Sequence, residues 1–190
     1  MLQNNGRVSS NLLIALDESN HGRNYPEIRC ATFSTHPQDS KIHKKPMFEK
    51  KSRTDQCLFA NFSSRDYSFL YLFGRDFEMV APRDLWGVVS ASLSYDNVRE
   101  NVSEFKIFEY FIDGENKGFD NPIRTKDIIS EMIGVEKERV RVTYKAKLDE
   151  LMFIANLSDN MAHYWFRKGT PKRIGKNPHQ KGLLINKYLR

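Results

Sequence analysis

The sequence predicts an α/β domain built on a mixed sheet with helices against its faces. Its periodic segments follow the order strand, strand, strand, helix, strand, helix, strand, helix (βββαβαβα). A run of strands followed by alternating helices and strands is typical of such a mixed sheet. The 190 residues, of which 39% are hydrophobic, suit one domain with short extensions. We expect the domain over residues 12–168, after an extension at 1–11 and before a basic tail at 169–190.

The first two strands are predicted from a short apolar run and the alternating segment that follows it. Residues 12–16, LLIAL, are typical of a strand buried on both faces. Residues 19–26 are rich in turn-forming types, so the strand over 27–34 is expected to pair with the first as a hairpin. Residues 35–56 are polar and basic without periodicity, which predicts a long insertion loop.

The rest of the chain supplies the later strands and the helices. Pro82 suits the first turn of a helix, because its missing N–H would have no partner there. Thr125 and Gly134 are expected to begin and end the next helix. A strand is predicted over 67–73, and residues 77–80 either extend it or pair with it. Two more strands are predicted over 106–112 and 139–144, and one long helix over 148–167.

Positive charge is concentrated in two parts of the chain, which has a formal net charge of +6. Residues 167–190 contain eight Lys or Arg and no acidic residue. Clustered cations favour polyanions, because each neutralised phosphate releases a counterion. A solvated loop and tail is an equally good interpretation. The second cluster comprises Lys41, Lys44, Lys45, Lys50, Lys51 and Arg53.

Several features favour a cytoplasmic protein. No stretch of about 18 apolar residues is present, so no membrane helix is expected. The first ten residues lack the apolar run of a secretory signal. Cys30 and Cys57 fit no metal-binding spacing and are interpreted as reduced thiols, with a disulfide between them as the less favoured alternative.

Acidic residues stand at three places where the predicted fold can bring them together. Asp17 and Glu18 follow the first strand, and Asp113 follows the fourth. If these two strands are parallel neighbours, Asp17 and Asp113 lie side by side at one edge of the sheet. Asp159 lies on the apolar stripe of the last helix. An inward carboxylate is costly unless it is paired or binds a metal. The alternative is that Asp159 is solvated at the edge of the stripe or pairs with a Lys.

Converging carboxylates of this kind select Mg²⁺ or Mn²⁺, the ions that serve hydrolysis of phosphodiester bonds. The chain has no His/Cys spacing for zinc, no GxxxxGK[ST] phosphate loop and no GxSxG nucleophile turn. With the two basic segments, these features predict a nuclease that acts on nucleic acid.

The opening segment IALDESNHGRNYPEIRCATFS resembles the ribonuclease-H-like superfamily. It is similar to type-2 ribonuclease H, whose first strand ends in Asp-Glu before a small residue, Gly and Arg. It is also similar to a bacterial and phage family whose first strand has a Tyr-Ile-Asp-Glu-Ser-Gly pattern. In that family an Ala-Asp-Leu-Ile-Ala-like segment lies in the last helix, and RVRVTYKAKLDELMFIANLSDNMAHYWFRK has a similar layout. The family aspartate aligns with Asn156, and Asp159 follows one turn later.

The resemblance implies metal-dependent cleavage of RNA or DNA. Asp17, Asp113 and Asp159 would bind the metal, with Glu18 as a further ligand or close neighbour. Asn156 favours the alternative of an inactive nucleic-acid-binding or assembly module, and a structural subunit is a third possibility. His21 is either a proton shuttle beside the acids or a solvated loop residue. The predicted nucleic-acid contacts are His21, Arg23, Lys145, Lys147, Lys172 and Arg173.

Overall fold

The structure is a computed structural model that describes residues 10–19, 27–48, 58, 60–61, 65–72, 80–114 and 121–168. It confirms the predicted order of elements, except that the last helix is divided. The strands are β1 (Asn11–Ser19), β2 (Glu27–Ser34), β3 (Asp66–Leu72), β4 (Ile107–Asp113) and β5 (Val140–Lys145). The helices are α1 (Leu85–Glu100), α2 (Pro122–Ile133), α3 (Leu148–Leu151) and α4 (Phe153–Lys168), with short 3-10 turns at Pro37–Ser40, Pro82–Asp84 and Lys137–Arg139.

The five strands form one mixed sheet in the order β3-β2-β1-β4-β5. β1 is antiparallel to β2, and β2 is antiparallel to β3. β1 and β4 are parallel neighbours, which is the condition for placing Asp17 beside Asp113, and β4 is parallel to β5. Since Leu16 lies opposite Ile112, Asp17 and Asp113 follow at adjacent positions on the two strands. The predicted α/β class, a mixed sheet with the element order βββαβαβα and helices on its faces, is therefore confirmed.

The helices cover the two faces of the sheet, and β1 contributes side chains to both layers. Leu12, Ile14 and Leu16 pack in the core shared with α1 and α2. Leu13 and Ala15 pack on the other side, against α3 and the start of α4. Because side chains alternate along a strand, Asp17 faces α3 and α4, whereas Glu18 faces the α1 side.

α1 and α2 approach closely because Gly87 has no side chain. A Cβ atom at position 87 would lie 2.9 Å from the Cβ of Ile128. The start of α2 differs from the prediction: Asn121 caps it, accepting hydrogen bonds from the N–H groups of Ile123 and Arg124 at 2.9 and 3.2 Å. Thr125 is buried inside the helix instead, and Gly134 ends the helix with φ 75°, as predicted.

The prediction of one helix over 148–167 is wrong at Met152. This residue has φ −138° and ψ 129°, an extended conformation that divides the segment into α3 and α4. The apolar spacing is kept across the break, because Met152 is itself fully buried. The carbonyl oxygens of Glu150 and Leu151 accept hydrogen bonds from residues 43–48 rather than from the next helical turn, which explains the break.

The predicted insertion loop is described in its first part only. Residues 35–48 include the turn Pro37–Ser40, and Asp39 within it is buried. Residues 49–56, the extension up to residue 9, and the tail at 169–190 lie outside the described residues, as does the predicted strand at 77–80 apart from the buried Val80. The helices in the described part of the chain are too short or too polar to span a bilayer.

Candidate metal centre

The ends of β1 and β4 bring Asp17 and Asp113 to the same edge and the same face of the sheet. Their neighbours Leu16 and Ile112 form the last pair of the parallel ladder, so Asp17 and Asp113 come next on the two strands, side by side. Asp17 is only 7% exposed, and its Oδ1 accepts a hydrogen bond of 2.7 Å from the N–H of Glu18. The carboxyl ends of parallel strands therefore form the site, as expected for a sheet of this kind.

Asp113 also fixes the chain that follows β5. Its Oδ1 accepts a hydrogen bond from the N–H of Leu148 at 3.0 Å, and its Oδ2 accepts one from the N–H of Asp149 at 3.3 Å. Lys147 turns the chain into this position with a left-handed backbone, φ 58°. The carboxylate thus caps α3 and draws the side chain of Asp149 toward the other two acids.

Asp17, Asp113 and Asp149 form the candidate metal centre. Each offers one carboxylate oxygen, and the three oxygens lie within 4.8 Å of one another. Asp17 and Asp149 are buried, and Asp113 is half-buried. Buried carboxylates so close together repel one another unless protons or a cation compensate their charge.

The electrostatics of the site agree with that argument. Burial, followed by the charges of Glu18, Asp113 and Asp159, raises the pKa of Asp17 well above its ordinary value. Burial is also the largest cause that raises the pKa of Asp113 to about 7, and the neighbouring Asp149 adds to it. The N–H group of Leu148 acts in the opposite direction because it stabilises the charged form of Asp113. The ionised triad is therefore costly near neutral pH without a counter-ion.

This donor set fits a hard divalent cation. All three ligand atoms are carboxylate oxygens, which suit Mg²⁺ and Mn²⁺ better than softer metals. A cation between them would offset the burial and the neighbouring acidic groups that raise the pKa values of Asp17 and Asp113. The chemistry of the donors therefore supports a metal site, and the residues that would hold the ion are Asp17, Asp113 and Asp149.

Two of the predicted acids take different positions around this triad. Glu18 is half-buried on the opposite face of the sheet, at the ladder position that pairs with Arg29. Asp159 is 5% exposed on α4, which excludes the solvated alternative, and its charge contributes to the raised pKa of Asp17. Neither belongs to the group of three oxygens, so both stay predictions as ligands.

Asp149 is the site residue that sequence reasoning missed. The apolar spacing predicted one long helix, which placed Asp149 in its first turn without a role. A usable signal was present: Asp149 comes shortly after the third parallel strand, and Asp17 and Asp113 lie at the ends of the other two. The three residues between the end of β5 and Asp149 include the turn that Asp113 caps, and this contact is not visible in a local pattern.

Ser158 fixes α4 against the sheet, and this contact determines where the polar residues of α4 lie. The Oγ of Ser158 is 2.8 Å from the carbonyl oxygen of Ala15 and 2.9 Å from the Oγ1 of Thr32. Asn156, which aligns with the family aspartate, is 1% exposed on the same helix. A buried amide thus stands where the resemblance places a carboxylate.

The predicted cationic contacts are only partly described. Lys145 and Lys147 are exposed, and Lys145 pairs with Asp113 in the β4–β5 ladder, so it lies beside the acidic edge. His21, Arg23, Lys172 and Arg173 lie outside the described residues, as does Cys57. Cys30 is a free, buried thiol, and burial raises its pKa well above the ordinary value.

No protein-family model matches the chain, and no curated protein matches it. Among solved structures, the chain is similar to a chain of the PCNA:RNase HII complex from Archaeoglobus fulgidus, with 14% sequence identity. The similarity covers 91% of this chain and 86% of that chain, with a TM-score of 0.45. At this identity and score the likeness assigns no activity or partner to this chain.

Proposed function

We propose that this protein is a divalent-metal-dependent nuclease that hydrolyses phosphodiester bonds of RNA or DNA. The observation that carries the proposal is the convergence of three carboxylate oxygens, from Asp17, Asp113 and Asp149, within 4.8 Å at a buried sheet edge. Carboxylate triads at the ends of parallel strands are suited to hold Mg²⁺ or Mn²⁺.

In this proposal each residue of the centre has a separate task. The three carboxylates would hold Mg²⁺ or Mn²⁺, which when bound would supply the chemistry of water activation and leaving-group stabilisation in phosphodiester hydrolysis. Asp17 and Asp149 bind from buried positions, where little water competes with them. Asp113 binds while the N–H groups of Leu148 and Asp149 hold its carboxylate in place. Asp159 is proposed as a further ligand, and Glu18 as a further ligand or close neighbour of the centre.

The proposed substrate is a nucleic acid because exposed cations lie beside the acidic edge. Lys145 and Lys147 flank the turn that leads into α3, and both are exposed. We assign them to phosphate contacts that bring the backbone to the metal centre. The proposed contact set also includes His21, Arg23, Lys172 and Arg173, and the proposed location of the protein is the cytoplasm.

A second candidate function is a nucleic-acid-binding or assembly module without catalysis. Asn156 favours it, because this buried residue is neutral where the resembling family carries an aspartate. With one carboxylate fewer, the centre would hold a cation less strongly. The two candidates differ in one outcome, since only the nuclease cleaves the nucleic acid that it binds.

The test compares cleavage by the wild type, Asp17→Asn and Asp149→Asn on single-stranded, duplex and hybrid substrates with Mn²⁺. Asp96→Asn on α1 is the matched control, because it removes an acid outside the centre. Loss of cleavage in the two centre variants alone supports the nuclease. Equal cleavage in all four proteins identifies a contaminant, and binding without cleavage by the wild type supports the second candidate.

A further inference from the structure

Residues 35–48 contact the end of α3 through their backbone. The N–H of His43 donates to the carbonyl oxygen of Leu151 at 2.9 Å. The N–H groups of Met47 and Phe48 both donate to the carbonyl oxygen of Glu150, at 2.9 and 3.2 Å. The last carbonyl groups of a helix have no partner within the helix, so these bonds complete its C-terminal end.

α3 needs such support because it has only four residues. A single helical turn is unstable alone, because the conformational entropy lost in fixing its backbone dihedrals exceeds the stabilisation from its few hydrogen bonds. Asp113 holds its N-terminal end, and residues 35–48 hold its C-terminal end. Asp149 lies between these two attachments, so its position in the carboxylate triad depends on both.

A buried ion pair anchors residues 35–48 to the rest of the fold. Arg65 donates from Nε to Oδ2 of Asp39 at 2.6 Å and from Nη2 to Oδ1 at 3.0 Å. The side chain of Asp39 is 3% exposed and that of Arg65 is 14% exposed. Two parallel bonds between charged groups fix orientation as well as distance. The hydroxyl of Ser34 adds a bond of 2.6 Å to Asp39 and ties the pair to the end of β2.

The same arginine also contacts the break between α3 and α4. Its guanidinium lies 5.0 Å from the ring centroid of Phe153, the first residue of α4. The ring of Phe153 lies 5.8 Å from that of Phe48, at the far end of the described segment. Arg65 therefore connects Asp39 near one end of the segment with the aromatic contact at its other end.

We propose that residues 35–48 form a positioning element that holds Asp149 in the metal centre, with the Asp39–Arg65 pair as its anchor. The proposal rests on the proposed function only in that the carboxylate triad binds a divalent ion. Asp39 and Arg65 are positioning residues, because they act on the centre through the backbone of α3. The predicted insertion loop thus has a part in building the site.

The first experiment measures Mn²⁺ affinity of the full chain from the electron paramagnetic resonance signal of free Mn²⁺. Arg65→Met is expected to weaken binding about ten-fold while circular dichroism shows that the protein stays folded. Arg65→Lys should restore most of the affinity, because its ammonium can still pair with Asp39. The matched control is Arg124→Met, which breaks the similar Arg124–Asp84 pair at 3.0 and 3.2 Å and should bind Mn²⁺ like the wild type.

The second experiment measures hydrogen exchange of backbone amides 148–152 in metal-free protein. Exchange should be faster in Arg65→Met and unchanged in Arg124→Met. Unchanged exchange in Arg65→Met overturns the proposal, and so does wild-type Mn²⁺ affinity in that variant. If the wild type itself binds no Mn²⁺, the proposed function fails, and exchange alone then decides whether residues 35–48 hold α3.

Discussion

The carboxylate of Asp113 accepts a hydrogen bond from the backbone N–H of Asp149 at 3.3 Å, so one candidate ligand positions another. The bond joins the end of the second parallel strand to the start of α3, the element that follows the third. Asp17 completes the group from the first strand. The centre is therefore a product of three consecutive parallel strand ends rather than of one motif.

The first prediction concerns the residue that the sequence did not reveal. Asp149→Asn should lower Mn²⁺ affinity at least about 100-fold, because it removes one of three ligand oxygens at nearly constant volume. Isothermal titration with Mn²⁺ measures the change. Glu150→Gln is the control, since Glu150 is adjacent in sequence but lies outside the triad. Equal losses in both variants would contradict the assignment of Asp149.

The second prediction concerns pH and stability without metal. The pKa of Asp113 is raised to about 7 in the folded state, whereas the unfolded chain has the ordinary value near 4. The folded state therefore binds more protons between these values, and the free energy of unfolding should fall as pH rises from about 4 to 7.

For Asp113, which is partly exposed, we expect a loss of about 2 kcal/mol across this range, after allowance for solvent screening. Urea unfolding in the presence of a chelator, at intervals between pH 4.5 and 8, measures it. Asp113→Asn should flatten the profile. If the free energy of unfolding of the wild type rose with pH through this range, and that of Asp113→Asn did not, the raised pKa of Asp113 would be contradicted.

The third prediction joins metal and proton binding. Protons and cations compete for the same carboxylates, so Mn²⁺ should raise the melting temperature more at pH 8 than at pH 5. Thermal melting with Mn²⁺ and with chelator at both pH values gives the comparison. The difference should disappear in Asp17→Asn, and its persistence there would indicate that Mn²⁺ binds elsewhere.

The fourth prediction tests the close approach of α1 and α2. Gly87→Ala should destabilise the fold by about 1–3 kcal/mol, because the new Cβ would lie 2.9 Å from Ile128. Chemical denaturation measures the loss. Gly114→Ala is the control, since a Cβ there would meet no atom within 4 Å. Adding Ile128→Val to Gly87→Ala should recover part of the stability by removing a methyl group at the contact.

The parts of the fold that could be predicted from sequence are those that depend on local patterns and strand direction. The hairpin of β1 and β2 could be predicted from the turn-forming residues between two apolar segments. The placement of Asp17 beside Asp113 could be predicted from their positions at the ends of two strands. The burial of Asp159 follows from its place on an apolar stripe.

The parts that could not be predicted depend on tertiary hydrogen bonds. Met152 keeps the spacing of a helix while its backbone is extended, because residues 43–48 bind the preceding carbonyl groups. Asn121 rather than Thr125 caps α2. The Oγ1 of Thr125 lies 2.8 Å from the hydroxyl of Tyr144 on β5 instead. Residues 43–48 and Tyr144 are distant along the chain from the residues that they contact, so no local window contains these two contacts.

The sheet order also distinguishes the positions of the three carboxylates, which the strands fix, from the connections between strands, which can vary. The carboxylates sit on strand ends or on the turn capped by one, and the ladder fixes both. The connections that leave β1 after Ser19 and β4 after Gly114 begin at this same edge. A change in the length or sequence of those connections is therefore expected to leave the spacing of the three acids unchanged.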